Sequence, residues 1–325
     1  MAGNSNFSNA KREKNDEFYT LRDDVAKELS HYEKQLYGKS VFCNCNDDEN
    51  SAFWCYLSEN FDKMHLKKLT AVKYGEQSYR LDMTEKGKIN KRFLDGDGDF
   101  RSKESMEILE NSDIIITNPP FSLFREYIGL LLKLNKDFLI VGSMNMIVCR
   151  EIFPYFMEEK LRLGYNSVNN FVQTNGQICK FGNILWYTTL KTESQDKPLV
   201  LSKRYNSKKY PYYDNYPAID VGRIADIPCD YYGIMGVPIS YLTRHDPQQF
   251  KVIGLTQGND GLAKRYENLI QYRVDGTTAN GSKANTSAVL SVSQKPNRIY
   301  YKASNAEGYL ICRYVRVLIQ RKQQL

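Results

Sequence analysis

Asn118, Pro119, Pro120 and Phe121 stand in a row directly behind the β-branched run Ile114-Ile115-Ile116-Thr117. Each proline fixes φ at about −65° and lacks a backbone N–H, so the segment offers oxygens on a stiff scaffold with an aromatic ring beside them. Such a row suits a flat heterocycle that carries an exocyclic amine. The Asn118 amide oxygen and the Pro119 carbonyl can accept the two amine hydrogens while Phe121 stacks on the ring. The chemistry to expect is methyl transfer to a base amine.

The elements around this row follow from pattern. The Ile run reads as a strand buried on both faces, because no polar residue alternates with its apolar ones. Residues 40–45 and 69–74 read as earlier strands and 138–142 as a later one. Helical spacing marks 23–35, 51–61, 102–109, 123–134 and 150–160. Strands alternating with helices predict an α/β fold with a doubly wound, mostly parallel sheet, whose ligand site lies at the carboxyl ends of the strands. After about residue 163 the texture changes. Residues 184–190 are strand-like, Tyr, Pro and Lys become dense from 201, residues 277–293 read as a long loop, and 309–320 as a closing strand. Residues 1–15, rich in Asn, Ser and Lys, read as a mobile tail.

Further segments extend the tetrapeptide into a wider pattern. Asp16-Glu17-Phe18-Tyr19-Thr20, Asp97-Gly98-Asp99-Phe100-Arg101-Ser102, Ser122-Leu123-Phe124-Arg125-Glu126-Tyr127, Tyr213-Asp214-Asn215-Tyr216 and Met235-Gly236-Val237-Pro238-Ile239 together resemble the EcoRI-type adenine-specific DNA methyltransferases, from about Asp16 to about Ile253. The resemblance implies a Rossmann-like fold, S-adenosylmethionine as methyl donor, and transfer to the N6 of an adenine flipped out of double-stranded DNA. Phe18, Tyr19 and Thr20 would bind the donor's amino-acid end, and Asp99 and Phe100 its adenine. The place of the family's glycine-rich loop holds no glycine between Cys43 and Phe53, so Asn44 and Asp47, with Asp48 and Ser51, must supply polar contacts there. Lys73-Tyr74 stands where a ribose-binding acid would fall.

The same resemblance assigns Asn118, Pro119, Pro120 and Phe121 to catalysis. Phe121 is the first candidate for stacking on the flipped base. Trp186 is the second, with core packing as its competing reading. The motif order implies a donor-binding and catalytic domain over 16–200 and a DNA target-recognition region over 201–325, with Lys203, Arg204, Lys208 and Lys209 on the DNA backbone. A role in restriction-modification, or as an orphan methylase, would pair the enzyme functionally with an endonuclease without a stable complex.

Composition agrees without deciding. The formal net charge of +7 over 325 residues favours an anionic partner. No signal-peptide core is present, and the longest apolar stretch, 127–144, is broken by Lys133, Lys136 and Asp137, so no membrane association and a cytoplasmic location are expected. An odd cysteine count of seven points to reduced thiols. Cys43-Asn44-Cys45 has no histidine pair at zinc spacing, and no metal is expected. Competing readings are an RNA adenine or protein glutamine methyltransferase, a catalytically silent nucleic-acid-binding module, and a metal nuclease built on Asp95, Asp97 and Asp99.

Overall fold

A computed structural model describes residues 18–173, 175–192, 198–257 and 261–323. The tail expected over 1–15 lies outside them. The chain divides into two compact units between Thr192 and Glu193.

The first unit is built on a nine-stranded sheet. In chain order its strands are β1 (Phe18–Thr20), β2 (Ser40–Cys43), β3 (Lys68–Lys73), β4 (Tyr79–Glu85), β5 (Lys88–Phe93), β6 (Ile114–Thr117), β7 (Asp137–Ser143), β8 (Arg162–Gln173) and β9 (Ile178–Thr188). They lie side by side in the order β1-β8-β9-β7-β6-β2-β3-β4-β5. The helices are α1 (Arg22–Leu29), α2 (Glu33–Leu36), α3 (Ala52–Glu59), α4 (Lys103–Glu110), α5 (Phe124–Lys133) and α6 (Phe153–Met157).

The mostly parallel, doubly wound sheet read from the sequence is corrected to a mixed one. Parallel pairing is confined to β3-β2-β6-β7, and every other neighbour is antiparallel. The connections explain the difference. Parallel neighbours need a crossover of about a dozen residues or more, which α3 and α5 provide. Residues 86–87 instead turn β4 directly into β5, with Gly87 at φ +78, and a short turn through Gly176 at φ +81 joins β8 to β9. Direct links of that kind permit only antiparallel pairing.

The Ile run forms β6 as expected, and every one of its residues is buried. α5 buries Phe124, Tyr127, Ile128, Leu131 and Leu132, the spacing of one helical face. The helix expected over 150–160 is shorter, because a 3-10 turn occupies Met144–Val148 before α6 begins with Pro154 in its first turn. One buried acid ties the sheet's edge to the helices. Glu28 of α1 accepts from the N–H groups of Tyr165 and Asn166 at 2.8 and 2.9 Å and from the Tyr32 hydroxyl at 3.0 Å. Burial pushes its carboxyl pKa up. This clamp holds β8, which carries β1 in antiparallel register from Phe18 opposite Gln173 to Thr20 opposite Phe171.

The second unit holds a four-stranded sheet, β10-β11-β18-β12, and a five-stranded sheet, β14-β13-β16-β17-β15. Their strands are β10 (Ala218–Asp220), β11 (Ile234–Pro238), β12 (Phe250–Leu255), β13 (Ile270–Tyr272), β14 (Thr278–Ala279), β15 (Val289–Val292), β16 (Tyr300–Lys302), β17 (Tyr309–Cys312) and β18 (Arg316–Arg321). The long loop read over 277–293 contains β14, a 3-10 turn at Lys283–Thr286 and β15, because Ala284, Ala288 and Val289 are buried and anchor it. The closing strand is likewise two strands in different sheets. All seven cysteines are free thiols. Among the described residues no helix is long and apolar enough to cross a membrane.

Candidate active site

β3 lies on one side of β2 and β6 on the other. The loops leaving β2 and β6 therefore part at their carboxyl ends, the place where open α/β sheets receive ligands. A cavity of about 190 Å³ opens there, lined by segments 18–20, 44–47, 98–101 and 118–121 and by Ser51, Ala52, Phe53, Tyr74 and Leu123. Stretches far apart in sequence thus meet at one cavity: Phe18, Tyr19 and Thr20; Asn44 and Asp47; Asp99 and Phe100; and Asn118, Pro119, Pro120 and Phe121.

Helix caps fix the loops. Ser51 accepts from Trp54 N–H at 3.1 Å to start α3, and Ser102 accepts from Ser105 N–H at 3.2 Å to start α4. The glycine-free loop after β2 solves its backbone problem with asparagine. Asn46 takes φ +60, a left-handed conformation that Asn tolerates better than most residues, and its amide bonds the Tyr19 hydroxyl at 3.1 Å. Gly98 is irreplaceable for two reasons: φ is +76, and a Cβ would lie 2.7 Å from the Lys73 carbonyl.

The Asn118 side chain has a defined orientation. Its Nδ2 donates to the Phe18 carbonyl at 2.5 Å, which turns Oδ1 the other way. Oδ1 is buried and has no partner among the described residues. Thr20 Oγ1 and Asn44 Nδ2 are in the same state, the Asn44 Oδ1 being taken by the Tyr127 hydroxyl. Buried polar atoms are nearly always satisfied, and leaving one bare costs about 1–3 kcal/mol. Three such atoms belong to residues lining one cavity: two acceptor-capable oxygens and one donor nitrogen.

Asp47 is 4% exposed and accepts from the Thr117 hydroxyl at 2.7 Å and from Cys45 N–H at 3.4 Å. Burial outweighs these bonds and pushes its carboxyl pKa up to about 7. The neighbouring Cys45 thiol and Tyr127 hydroxyl are pushed up as well, again by burial first. Asp99 goes the other way. Arg101 grips both of its oxygens, Nε on Oδ1 at 2.8 Å and Nη2 on Oδ2 at 2.7 Å, and holds the carboxyl below the usual range. Phe100 packs edge-on against Tyr127 with ring centres 5.1 Å apart.

Phe121 is 8% exposed. It stacks on Phe18 at 5.9 Å and meets Phe171 and Phe181 edge-on at 5.7 and 6.2 Å, so this ring belongs to an aromatic cluster as well as to the cavity wall. Trp186 is not brought to the site. It lies fully buried in β9, edge-on to Phe53 at 6.0 Å, and packs in the core instead of serving as a second stacking ring. Sequence reasoning missed Arg101, Tyr74 and Asn46 as cavity residues. The Asp99-Phe100-Arg101 spacing was the available signal for Arg101, since an arginine two residues on can fold back onto the carboxylate.

In the second unit Lys203, Arg204, Lys208 and Lys209 are all exposed. Lys209 Nζ pairs with Asp226 at 3.2 Å, and Arg223 pairs with the same carboxylate at 2.8 Å. Among the described residues no three of His, Cys, Asp and Glu are placed to hold a metal ion, and Asp95, Asp97 and Asp99 do not converge.

Residues 6–322 match the family described as adenine-specific methyltransferase EcoRI. The type II methyltransferase M.EcoRI of Escherichia coli is 39% identical over 298 residues, covering 80% of this chain and 91% of that protein. M.MgeORF184P of Mycoplasma genitalium is 37% identical over 98% of this chain and 99% of its own length. M.MpnI of Mycoplasma pneumoniae is 39% identical over 81% and 88%. No solved structure matches. A chain matched over nearly its whole length by this family model, and aligned with three methyltransferases over most of theirs, belongs to the EcoRI family of adenine-specific methyltransferases.

Proposed function

We propose that the enzyme transfers the methyl group of S-adenosylmethionine to the N6 amine of an adenine flipped out of double-stranded DNA, at a sequence chosen by the second unit. The observation that carries this reading is the Asn118 amide, tied by Nδ2 to the Phe18 carbonyl with Oδ1 left as a buried, unpartnered acceptor. An acceptor held that way fits an amine hydrogen.

The bare polar atoms also fit the donor. Thr20 Oγ1 and Asn44 Nδ2 suit its amino-acid end, and Asp99 with Phe100 suits its adenine. When bound, S-adenosylmethionine supplies an electrophilic methyl group. The residues do the rest by orientation. An adenine amine is a poor nucleophile because its lone pair is delocalised into the ring. Asn118 Oδ1 and the Pro119 carbonyl accept its two hydrogens and favour the tetrahedral nitrogen of the transition state. Pro120 keeps the segment stiff. Phe121 meets the base with the part of its ring that faces the cavity. A base inside a duplex cannot enter so small a space, and extrusion costs a few kcal/mol.

Lys203, Arg204 and Lys208, exposed and outside the Asp226 pairing, are the side chains best suited to phosphates, with Lys209 beside them. All three relatives carry the name of type II methyltransferases, which supports a place in restriction-modification, paired in function with an endonuclease and not in a stable complex. The test is transfer of labelled methyl from S-adenosylmethionine to duplex DNA, RNA and protein acceptors side by side. Label in duplex adenine supports the proposal, and label only in RNA or protein overturns it.

A further inference from the structure

The outermost strand of the nine-stranded sheet breaks the usual rule for edges. Every residue of β5, from Lys88 to Phe93, is exposed, Ile89 to 51% and Phe93 to 68%. Cations on an edge strand ordinarily guard it against pairing with another chain, but a bare aromatic ring and an isoleucine on the same edge work against that guard. Residues 85–93 carry Lys86, Lys88, Lys91 and Arg92 against one acid, Glu85.

Register sorts these side chains onto two faces. Tyr79 stands opposite Phe93, Leu81 opposite Lys91 and Met83 opposite Ile89, so Ile89, Lys91 and Phe93 continue outward a face whose inner residues are buried. Lys91 is already engaged there: its Nζ lies 3.6 Å from the centre of the Tyr79 ring and 3.1 Å from Glu49. On the other face Arg80 stands directly opposite Arg92. Like charges in that position repel. Asp82 relieves only one of them, pairing with Arg80 at 2.6 Å and with Lys68 at 2.9 Å. Arg92 and Lys86 have no ion pair among the described residues. Lys88 has the exposed Glu85 at 2.7 Å, a pairing worth little in water.

An edge of this kind complements a sugar–phosphate strand. Phosphate oxygens accept from arginine, lysine and backbone N–H groups, and no strand lies beyond β5 among the described residues to take its outward N–H groups. The apolar side chains between the cations match deoxyribose. We propose that β5 and the turn before it form a DNA-backbone surface in the first unit, with phosphates of the substrate duplex on Lys86, Lys88 and Arg92 and deoxyribose against Ile89 and Phe93. The proposal rests on the reading of duplex DNA as substrate. A second copy of the chain fits this edge less well, because pairing β5 with itself would set Lys88, Lys91 and Arg92 against the same cations. The acids that follow, Asp95 and Asp97, belong to the loop that accepts from Gly75 N–H and leads to the cavity, so the surface ends with the strand.

The experiment measures binding of the intact protein to mixed-sequence duplex DNA over a range of salt. Neutralising Lys86, Lys88 and Arg92 together to alanine should flatten the slope of log affinity against log salt by about 0.9 for each phosphate let go, up to about 2.7 for all three. Affinity for S-adenosylhomocysteine should hold, since none of the three lines the cavity. The comparison variant neutralises Lys27, Lys133 and Lys160, exposed on other elements of the same unit, and should keep the parental slope. A slope unchanged by the β5 substitutions, or flattened as much by the comparison set, would overturn the proposal. Acetylation footprinting of the unsubstituted protein tests it without any variant: duplex DNA should protect Lys86 and Lys88 and leave Lys27, Lys133 and Lys160 reactive. Unprotected Lys86 and Lys88 at saturating DNA would overturn it, and so would sedimentation of the unsubstituted protein as a dimer that Phe93→Asp splits, which would give the edge to a second copy. Failure of the unsubstituted protein to bind duplex DNA at all would instead overturn the duplex reading, and this proposal with it.

Discussion

Replacing Asn118 by aspartate separates two jobs that alanine removes together. The side chain donates through Nδ2 to the Phe18 carbonyl and, on the proposed reading, accepts through Oδ1 from the base. Asn118→Ala deletes the acceptor, for which the scale is about 2.7–4 kcal/mol, or a 100- to 1000-fold loss of single-turnover rate. Asn118→Asp keeps an acceptor of the same shape but sets a carboxylate oxygen against the Phe18 carbonyl at the 2.5 Å contact. The lost bond and bare buried carbonyl cost about 1–3 kcal/mol, hence a loss of roughly 5- to 150-fold. Because Phe18 opens β1, whose Thr20 also lines the cavity, the aspartate variant should raise the Kd of S-adenosylmethionine, and the alanine variant should raise it less. The assay is rapid-quench single turnover with labelled donor, together with calorimetric donor affinity. An aspartate variant within threefold of the unsubstituted enzyme in both quantities would refute the anchoring of the amide by Phe18.

Phe121→Ala should cost about 3–5 kcal/mol of stability, because the ring is packed against Phe18, Phe171 and Phe181; a denaturant melt unchanged from the parent would contradict that packing. The fluorescence rise of 2-aminopurine at the target position should accompany DNA binding by the parent protein, and a silent probe on a methylatable duplex would count against base flipping. Arg101→Ala frees the Asp99 carboxylate, so donor affinity should fall while DNA affinity holds, and calorimetry showing equal losses in both would point to a damaged fold. Neutralising Lys203, Arg204 and Lys208 should flatten the slope of log affinity against log salt by about 0.9 for each phosphate that is no longer neutralised, and Lys209, paired with Asp226, should contribute less; an unchanged slope would leave the cluster as plain solvated surface. Raising the Asp47 pKa from 3.8 to about 7 means the folded protein binds a proton that the unfolded chain has already given up, so this group's stabilising contribution, full below pH 3.8, disappears as pH rises through 7. The melting temperature of ligand-free Asp47→Asn relative to the parent should therefore climb between pH 4 and pH 8, and a flat difference would contradict the burial argument.

The parts of the site carried by local sequence were legible. Ile114-Ile115-Ile116 followed by Asn118-Pro119-Pro120 announces a buried strand ending in acceptors, because β-branching and proline act within the segment itself. What long-range packing decides was not. Trp186 and Phe121 look alike as aromatic candidates, and only the sheet order places one in the core and the other at the cavity. The mixed sheet escaped for a related reason. β4 and β5 carry Arg80, Asp82, Lys88, Lys91 and Arg92 between their apolar residues, since β5 is an exposed edge, and so lack the apolar run by which the buried strands were found. Residues 277–293 read as a loop by composition, while small buried residues such as Ala284 and Ala288 hold them as structure. The substitute for glycine after β2 was hidden as well, because Asn46 at positive φ is visible only once the backbone is.

The central claim is that Asn118 Oδ1 accepts an N6 hydrogen of adenine during methyl transfer. The most direct measurement is mass spectrometry of nucleosides from duplex DNA incubated with S-adenosylmethionine and either the parent protein or Asn118→Ala, with donor and DNA binding checked on both. The expected result is N6-methyladenine at a single sequence with the parent, and at least a roughly 100-fold slower appearance with Asn118→Ala at preserved binding. Methyl groups on another base or another atom, or N6-methyladenine formed at parental rate by the variant, would contradict it.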